Sequence, residues 1–406
     1  MRLAALRPVP RLPVGGDGDG GGGVGGIFLR YRKVLGALAV LAVLGIAVGY
    51  LYKGGFYATL VEDMLVYAIA AMGLDFLGGY GGLVSLGQAG FLGLGAYGIA
   101  VGQARGLGAW ESVGLALLVV IVVGFLTAFV AVRVNGISFV IVTLAVGQII
   151  WGLAFRWVTV SAGDNGLPIS SYPSVGPIHL SDPLTLRMTV LGVFIVSAIV
   201  LRWLVSTPFG LSLQGVQYNE PRLKTLGYST GLHRYLGYVI SVFFGGVAGI
   251  LYGWVNQLIS PTTLDFNHNG IITIMAVLGG LGTLWGSVAG SVIIVLFQQE
   301  LSLYVTRWET IMGVVFVAIV VFAPGGLWGV GRLWVQKLEA RVARRTGRGG
   351  GTAALLGDAE MPGSAGRPQS WPAGGVLTQE PSVVPEHRSA REAQESTEPA
   401  AEADQP

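Results

Sequence analysis

Apolar residues run in long blocks along most of this chain, and polar positions are confined to the gaps between them. Blocks at 58–79, 83–103, 112–132, 137–157, 187–205, 234–256 and 309–323 each hold about 15–23 residues, close to the roughly 20 a helix needs to cross a hydrocarbon core. An earlier block follows Arg30, Arg32 and Lys33 and runs to Tyr50. Its basic flank and length read as an uncleaved first span. The interval 270–300, GIITIMAVLGGLGTLWGSVAGSVIIVLFQQE, is too long for one ordinary span and is interrupted by Gly279, Gly280, Gly282, Gly286 and Gly290. It reads as two short crossings, or a hairpin meeting at Thr283–Gly286. The pattern predicts an all-α, polytopic integral membrane protein of about 8–10 transmembrane segments, some of them short and glycine-broken.

The segment Gly78–Val101 carries no formal charge and nine glycines. Glycine costs about 1 kcal/mol in a helix interior relative to alanine. Lipid offers no aqueous partners, so a broken backbone here must be buried in protein or line a wet cavity. Such a segment means close helix packing or a broken helix beside a conduction path. GGLVSLGQAGFLG at 81–93 and GGLGTLWGSVAG at 279–290 look alike. Paired glycine-broken segments in two halves of a chain point to inverted repeats.

Composition narrows the class. The 406 residues are 52% hydrophobic and 12% charged, where soluble domains carry roughly 25% charge. There is no cysteine, which excludes disulfides and thiolate chemistry, and His179, His233, His268 and His387 never cluster into a metal site. Gly93, Gly95 and Gly98 fit a dinucleotide-type G-x-G-x-x-G, but without the strand–turn–helix that pattern requires. No G-x-x-x-x-G-K-[ST] occurs, so the chain has no phosphate-binding loop of its own. No paired-carboxylate or nucleophile arrangement nominates an enzyme, and no nucleic-acid partner is expected.

Charge placement sets domains and orientation. Basic residues beside short spans prefer the cytoplasmic side. The N-terminus, Arg133, the 206–233 loop with Arg222 and Lys224, and the tail with Arg332, Lys337, Arg341, Arg344 and Arg345 therefore read as inside. The 158–186 loop, polar and proline-rich with two aspartates, reads as outside. Arg105 mildly contradicts the rule. Residues 1–30 read as a disordered tail, 31–346 as the transmembrane domain with both termini cytoplasmic, and 347–406 as a disordered cytoplasmic tail.

Ionisable or amide groups inside apolar spans carry a functional hypothesis. Glu62, Asp63, Asp75, Gln88 and Gln148 are such groups, the first two near a span end. Asp75, Gly82, Ser85, Gln88, Ser138 and Thr143 form the candidate substrate path. Helix ends there would suit a zwitterion, and the plainer role of the same side chains is interhelical hydrogen bonding. In the 206–233 loop, Leu213, Val216, Leu223 and Leu226 have helical spacing, and Glu220 and Gly227 frame a break. The plain reading is an amphipathic connector, and the sharper one is a docking element that receives force from another subunit.

Several ordered motifs now coincide: Leu77-Gly-Gly-Tyr-Gly-Gly-Leu-Val-Ser85-Leu-Gly-Gln88-Ala-Gly-Phe91, Gly136-Ile-Ser-Phe-Val-Ile-Val-Thr143-Leu-Ala, Gly163-Asp164-Asn165-Gly166-Leu167, Asn219-Glu220 with Leu226-Gly227, and Leu278-Gly-Gly-Leu-Gly-Thr-Leu-Trp-Gly286. Over roughly 55–328 the chain resembles the permease subunits of branched-chain amino acid ABC transporters, the longer of the two paired permeases. The resemblance implies import of leucine, isoleucine or valine across a bacterial inner membrane. It implies a periplasmic binding protein, a second permease as heterodimer partner, and two ATP-binding subunits that consume ATP and Mg, with no cofactor on this chain. It makes Asn219, Glu220, Leu223, Leu226 and Gly227 the ATPase-coupling segment. The family usually places arginines at positions matching Leu211, Gln214 and Gln217, and this chain lacks them. Similar permeases serve urea or short-chain amides. A secondary transporter running on an ion gradient is the alternative from another class, and it would need no docking loop.

Overall fold

The computed structural model describes residues 55–304 apart from 176 and 177, with isolated positions between 310 and 317. The tails at 1–30 and 347–406, the first span, most of the 309–323 span and both outer limits of the 31–346 domain lie outside the described residues.

The helices are α1 (Phe56–Asp75), α2 (Gln88–Ala104), α3 (Ala109–Ala131), α4 (Ile137–Arg156), the short α5 (Val158–Ser161), α6 (Pro183–Ser206), α7 (Pro208–Thr225), α8 (Thr230–Asn256), α9 (Phe266–Gly279) and α10 (Leu284–Tyr304). A π-turn, Phe76–Tyr80, follows α1. Two-residue strands β1 (Leu167–Pro168), β2 (Ser174–Val175), β3 (Ile178–His179) and β4 (Leu258–Ile259) stitch the loops: β1 pairs antiparallel with β4, and β2 with β3. Helices α3, α4, α6, α8 and α10 are long and apolar enough to cross a membrane. The protein is an all-α polytopic membrane protein.

Burial grades the helices. Of the apolar window in α8, 72% is buried, against 22% in α3 and α4, so α8 is central and α3 and α4 form the rim. The rim helices keep Leu118, Phe125, Leu126 and Phe129 of α3, and Ile141 and Ile149 of α4, exposed. A helix apolar on all sides with its outer face uncovered is suited to lipid or to another membrane subunit.

Between helices already in lipid, hydrophobic transfer gives little, and close packing takes over. The α2–α8 contact shows this. A β-carbon on Gly95 would lie 2.1 Å from the Gly246 carbonyl oxygen, and one on Gly249 would lie 1.8 Å from the Leu92 carbonyl oxygen. The two backbones touch where any side chain would part them.

Two spans start or break elsewhere than the hydropathy indicates. The 83–103 block becomes helical only at Gln88, because Gly82 holds φ +70° and the chain runs without helix through 82–87. The 270–300 block is two helices packed together, as expected, but it breaks at Gly280–Thr283 rather than Thr283–Gly286. Gly280 and Gly282 take the positive φ values, 104° and 84°, while Gly286 stays in α10 with its backbone against that of Gly279. The 206–233 loop is mostly helix: α7, kinked at Asn219, and then the first turn of α8.

Gly249→Leu is expected to abolish recovery of monodisperse folded protein in size-exclusion chromatography. Gly152→Ala, on α4 with nothing within 4 Å of the new methyl, should leave the melting temperature unchanged or raise it, by at most the helix-propensity gain of about 1 kcal/mol.

Candidate functional site

Helix α2 has 17 residues and α9 has 14, about 25 Å and 21 Å at roughly 1.5 Å per residue, short of the roughly 30 Å core. Both begin part-way through the bundle. Gly147, in the middle of α4, lies against Gly87 and against the Asn269 amide. Asn269 Oδ1 accepts the Ala89 N–H at 2.8 Å. The first turns of two discontinuous helices therefore meet at the level where α4 is half crossed. From there α2 runs to the end that carries the 158–182 loop, whose Ser170 and Ser171 N–H groups donate to Gln103 Oε1 at 3.1 and 3.0 Å. Helix α9 runs to the opposite end, where the α9–α10 break touches Gly79.

The candidate path residues fall into two groups and an outlier. Ser85, Gln88 and Thr143 gather at the start of α2. Thr143 Oγ1 accepts the Leu86 N–H at 3.1 Å, and Ser85 Oγ accepts the Gly87 N–H at 3.2 Å. Gln88 Nε2 donates to the Ala70 carbonyl at 3.3 Å and the Ser241 carbonyl at 3.1 Å, bridging α1 and α8. Its Oε1 is buried without a partner among the described residues. Asp75 and Gly82 form the second group at the end of α1. The fully buried Asp75 accepts the Gly282 N–H through Oδ1 at 2.6 Å. The Ser287 hydroxyl stands beside the same carboxyl without closing a hydrogen bond of standard geometry. Ser138 is the outlier: it is exposed in the first turn of α4, apart from both groups.

Each helix start already has amide groups committed to protein acceptors. Asn269 takes the Ala89 N–H, the second of α2, and Asp265 caps α9 by accepting the His268 N–H at 2.9 Å. Amide groups committed to protein acceptors are not free to bind a carboxylate. A cavity of about 350 Å³ between α2, α3 and α4 is walled by apolar side chains, with Tyr97 inside and Arg105 among its lining. It has no acceptor set for an ammonium group, so it does not suit a zwitterion either. Near the other end of α1, Arg187 Nε donates to Glu62 Oε1 at 3.0 Å, and Asn256 Nδ2 donates to Asp63 Oδ1 at 3.1 Å. These two carboxylates hold α6 and α8 to α1.

The 206–233 segment is built from local chemistry. Asn219 leaves helical geometry at φ −159°, ψ 84° and caps the next helical turn, its Oδ1 accepting the Arg222 N–H at 3.1 Å. The helix then ends on Gly227 at φ +84°. Tyr228 N–H donates to the Leu223 carbonyl and Gly227 N–H to the Lys224 carbonyl, both at 3.1 Å, a paired closure that needs the left-handed glycine. Leu223 folds back over Gly215. Glu220 is the anchor: Lys224 Nζ lies 2.9 Å from Oε1, Arg234 Nη2 2.6 Å from Oε2, and Thr230 Oγ1 donates to Oε1 at 3.1 Å. Arg234 also donates to Asn135 Oδ1 in the α3–α4 turn. Of the apolar positions read as one stripe, Leu213 and Val216 are buried, Leu223 is half-buried, and Leu226 is 68% exposed. Leu211 and Tyr218 are exposed too, at 61% and 84%.

Two shortened helices meet in mid-bundle, and a kinked, anchored surface helix lies at one end. Residues 56–323 match the family described as branched-chain amino acid transport system / permease component. The chain belongs to that family. This permease is 26% identical over 315 residues to the high-affinity branched-chain amino acid transport system permease protein LivM of Salmonella typhimurium, covering 71% of this chain and 74% of the relative. It is 26% identical over 314 residues to LivM of Escherichia coli K12, with the same coverage. It is also 29% identical over 140 residues to the guanosine ABC transporter permease protein NupQ of Bacillus subtilis, 33% of this chain and 41% of that one. No solved structure matches.

Two permease residues that matter here escaped the sequence reading. Asn269 sits one position before the 270–300 interval, so the search for amides inside apolar runs passed it by. Gln217 was noticed only as a missing arginine.

Asp75→Ala leaves the half-buried Gly282 N–H without its acceptor, at a cost of about 1 kcal/mol. It should lower the melting temperature of the purified permease, and Asp75→Asn, which keeps a carbonyl acceptor, should recover most of the loss. The Glu220 carboxyl is held below its ordinary 4.5 by the Lys224 hydrogen bond, aided by the Arg234 charge and the Thr230 hydroxyl and opposed by partial burial. A carboxyl depressed in the folded state stabilises above its unfolded pKa and loses that contribution as pH falls through the folded value. The stability gap between wild type and Glu220→Gln should therefore be full at neutral pH and close only below the ordinary carboxylate range, read by thermal melts across pH.

Proposed function

We propose that this permease is one membrane-spanning half of an ATP-driven importer of branched-chain amino acids in a bacterial inner membrane. Its partners are a second permease, two ATP-binding subunits and a periplasmic binding protein that delivers leucine, isoleucine or valine. The observation that carries the reading is the family match over 56–323, joined to a surface helix, α7, whose backbone and anchor residues are ordered while its outer apolar side chains are left uncovered. A transporter driven by an ion gradient has no use for such a helix.

Orientation follows from the two ends of the bundle. Among the described residues Arg133, Arg202, Arg222, Lys224 and Arg234 lie at the α7 end, and Arg105, Arg156 and Arg187 at the other. Basic residues beside short loops favour the cytoplasm, so α7 faces the ATPases and the 158–182 loop faces the binding protein. Relatives of this family place arginines where Leu211, Gln214 and Gln217 stand. The groove that receives α7 is accordingly apolar where it meets Leu211, Tyr218 and Leu226, and takes less of its affinity from charge.

The mid-bundle junction of α2 and α9 is the alternating-access element. Its polar side chains, Ser85, Gln88, Thr143 and Asn269, hold a broken backbone together, and selectivity comes from the faces turned to the second permease. A methylene more or less in a pocket is worth only about 1–3 kcal/mol, so substrate must be measured.

The complete complex in proteoliposomes, with loaded binding protein outside and ATP inside, should accumulate radiolabelled leucine and not urea or guanosine. Accumulation of leucine without ATP overturns the importer reading, and ATP-dependent uptake of guanosine or urea in place of leucine overturns the substrate.

A further inference from the structure

The π-turn at the end of α1 leaves carbonyl oxygens that no following helical turn can serve, because the chain departs from helix at 82–87. Helix α7 reaches them. With its amide turned so that both of its atoms are matched, Gln217 donates its nitrogen to the Gly79 carbonyl at 3.1 Å and to the Tyr80 carbonyl at 3.3 Å. Its methylenes lie over Gly82, where a β-carbon would stand 2.7 Å from Gln217 Cγ. One turn back along α7, the fully buried Leu213 lies where a β-carbon on Gly81 or on Gly237 of α8 would meet it, at 3.4 Å in each case. The line continues inward. A β-carbon on Gly79 would lie 2.0 Å from the Gly282 nitrogen and 2.5 Å from Asp75 Oδ1, and Asp75 holds that same Gly282 N–H. Gln217 therefore bonds to the residue at which the two glycine-broken segments, 77–82 and 278–282, touch each other.

We infer that Gln217 is the positioning residue that carries displacement of α7 into the junction of the two broken segments, so that α7 and the 79–82 turn move as one body. The inference rests on the importer reading above. The amide suits the task. It offers two N–H groups to carbonyls at the lipid boundary without bringing a charge, and Gly82, with no side chain and a left-handed φ of +70°, lets it come that close. An arginine in its place would bring the charge with its donors.

The test measures substrate moved per ATP hydrolysed in the reconstituted complex. Gln217→Leu keeps the packing over Gly82 and removes the donors. It should assemble, melt slightly below wild type for the two carbonyls left without their donor, keep its binding-protein-stimulated ATPase, and move at least about fivefold less substrate per ATP, the lower end of the scale of two net hydrogen bonds. Gln217→Arg, which restores donors, should hold the wild-type ratio. The chain has no cysteine of its own, so the pair Gly82→Cys and Gln217→Cys introduces a single cross-link in this subunit. The Gly82 β-carbon position is 3.3 Å from Gln217 Cβ, near the roughly 3.5–4.5 Å of a disulfide. The oxidised pair should transport at least as well per ATP as the reduced pair, since covalent joining replaces the lost hydrogen bonds, and the strain at position 82 is common to both samples. A Gln217→Leu complex with an unchanged ratio overturns the inference. So does an oxidised pair that transports only after reduction, which would make the contact one that must break. Failure of the importer reading shows separately, in the unaltered complex, as uptake that does not need ATP.

Discussion

A peptide group inside a bilayer has no water to turn to when its helix ends. In this permease helices end or begin inside the bundle several times, and each break has a side chain assigned to it. Asp75 accepts the Gly282 N–H, Asn269 the Ala89 N–H, and Thr143 the Leu86 N–H, while Gln217 serves the carbonyls of the π-turn. The buried polar residues are distributed by this need. It explains why the amides and hydroxyls cluster where the helices are shortest.

The same breaks divide the molecule mechanically. Where α2 crosses α8, backbone lies on backbone, and Gly95, Gly246 and Gly249 leave no slack. Interiors packed this tightly shift between discrete arrangements and do not bend continuously. The segments around 79–82 and 280–283 combine left-handed glycines at 82, 280 and 282 with a backbone contact of Gly79 on Gly282 that is just as close.

The membrane class and the hydrophobic blocks were legible because apolar runs of bilayer length leave few alternatives. Paired glycine-rich segments were legible as breaks, but their positions were not. Gly280 and Gly286 look equivalent in a sequence, and only the first turns the chain, because the second is needed for contact with Gly279. Ser85, Gln88 and Thr143 were found as polar residues in apolar surroundings and do converge. Ser138 fits the same rule and faces outward, since a residue in the first turn of a helix satisfies the pattern without being inside. Asn269 escaped because its helix begins in mid-bundle: the apolar run seemed to start after it, and no hydropathy window shows that a neighbouring helix begins beside it.

Magnitudes limit what the tie between α7 and the core can do alone. Two neutral hydrogen bonds contribute about 1–3 kcal/mol net, whereas driving a two-state element from one arrangement to the other takes about 5.5 kcal/mol for a shift from 1:99 to 99:1. The helix must therefore be gripped at more than one point. Leu213, buried against Gly81 and Gly237, adds a packed contact on the same face. On the other side Glu220 fastens the kink to Thr230 and Arg234 at the head of α8, and Arg234 reaches Asn135 between α3 and α4. Force applied to the exposed face of α7 thus enters the bundle along two routes: through Glu220 into the central and rim helices, and through Gln217 and Leu213 into the glycine turns. The first route runs through charged groups with strong partners and the second through a neutral amide over a bare backbone. That asymmetry is what a coupling helix needs if it is to stay fixed to α8 while it moves the turn between α1 and α2.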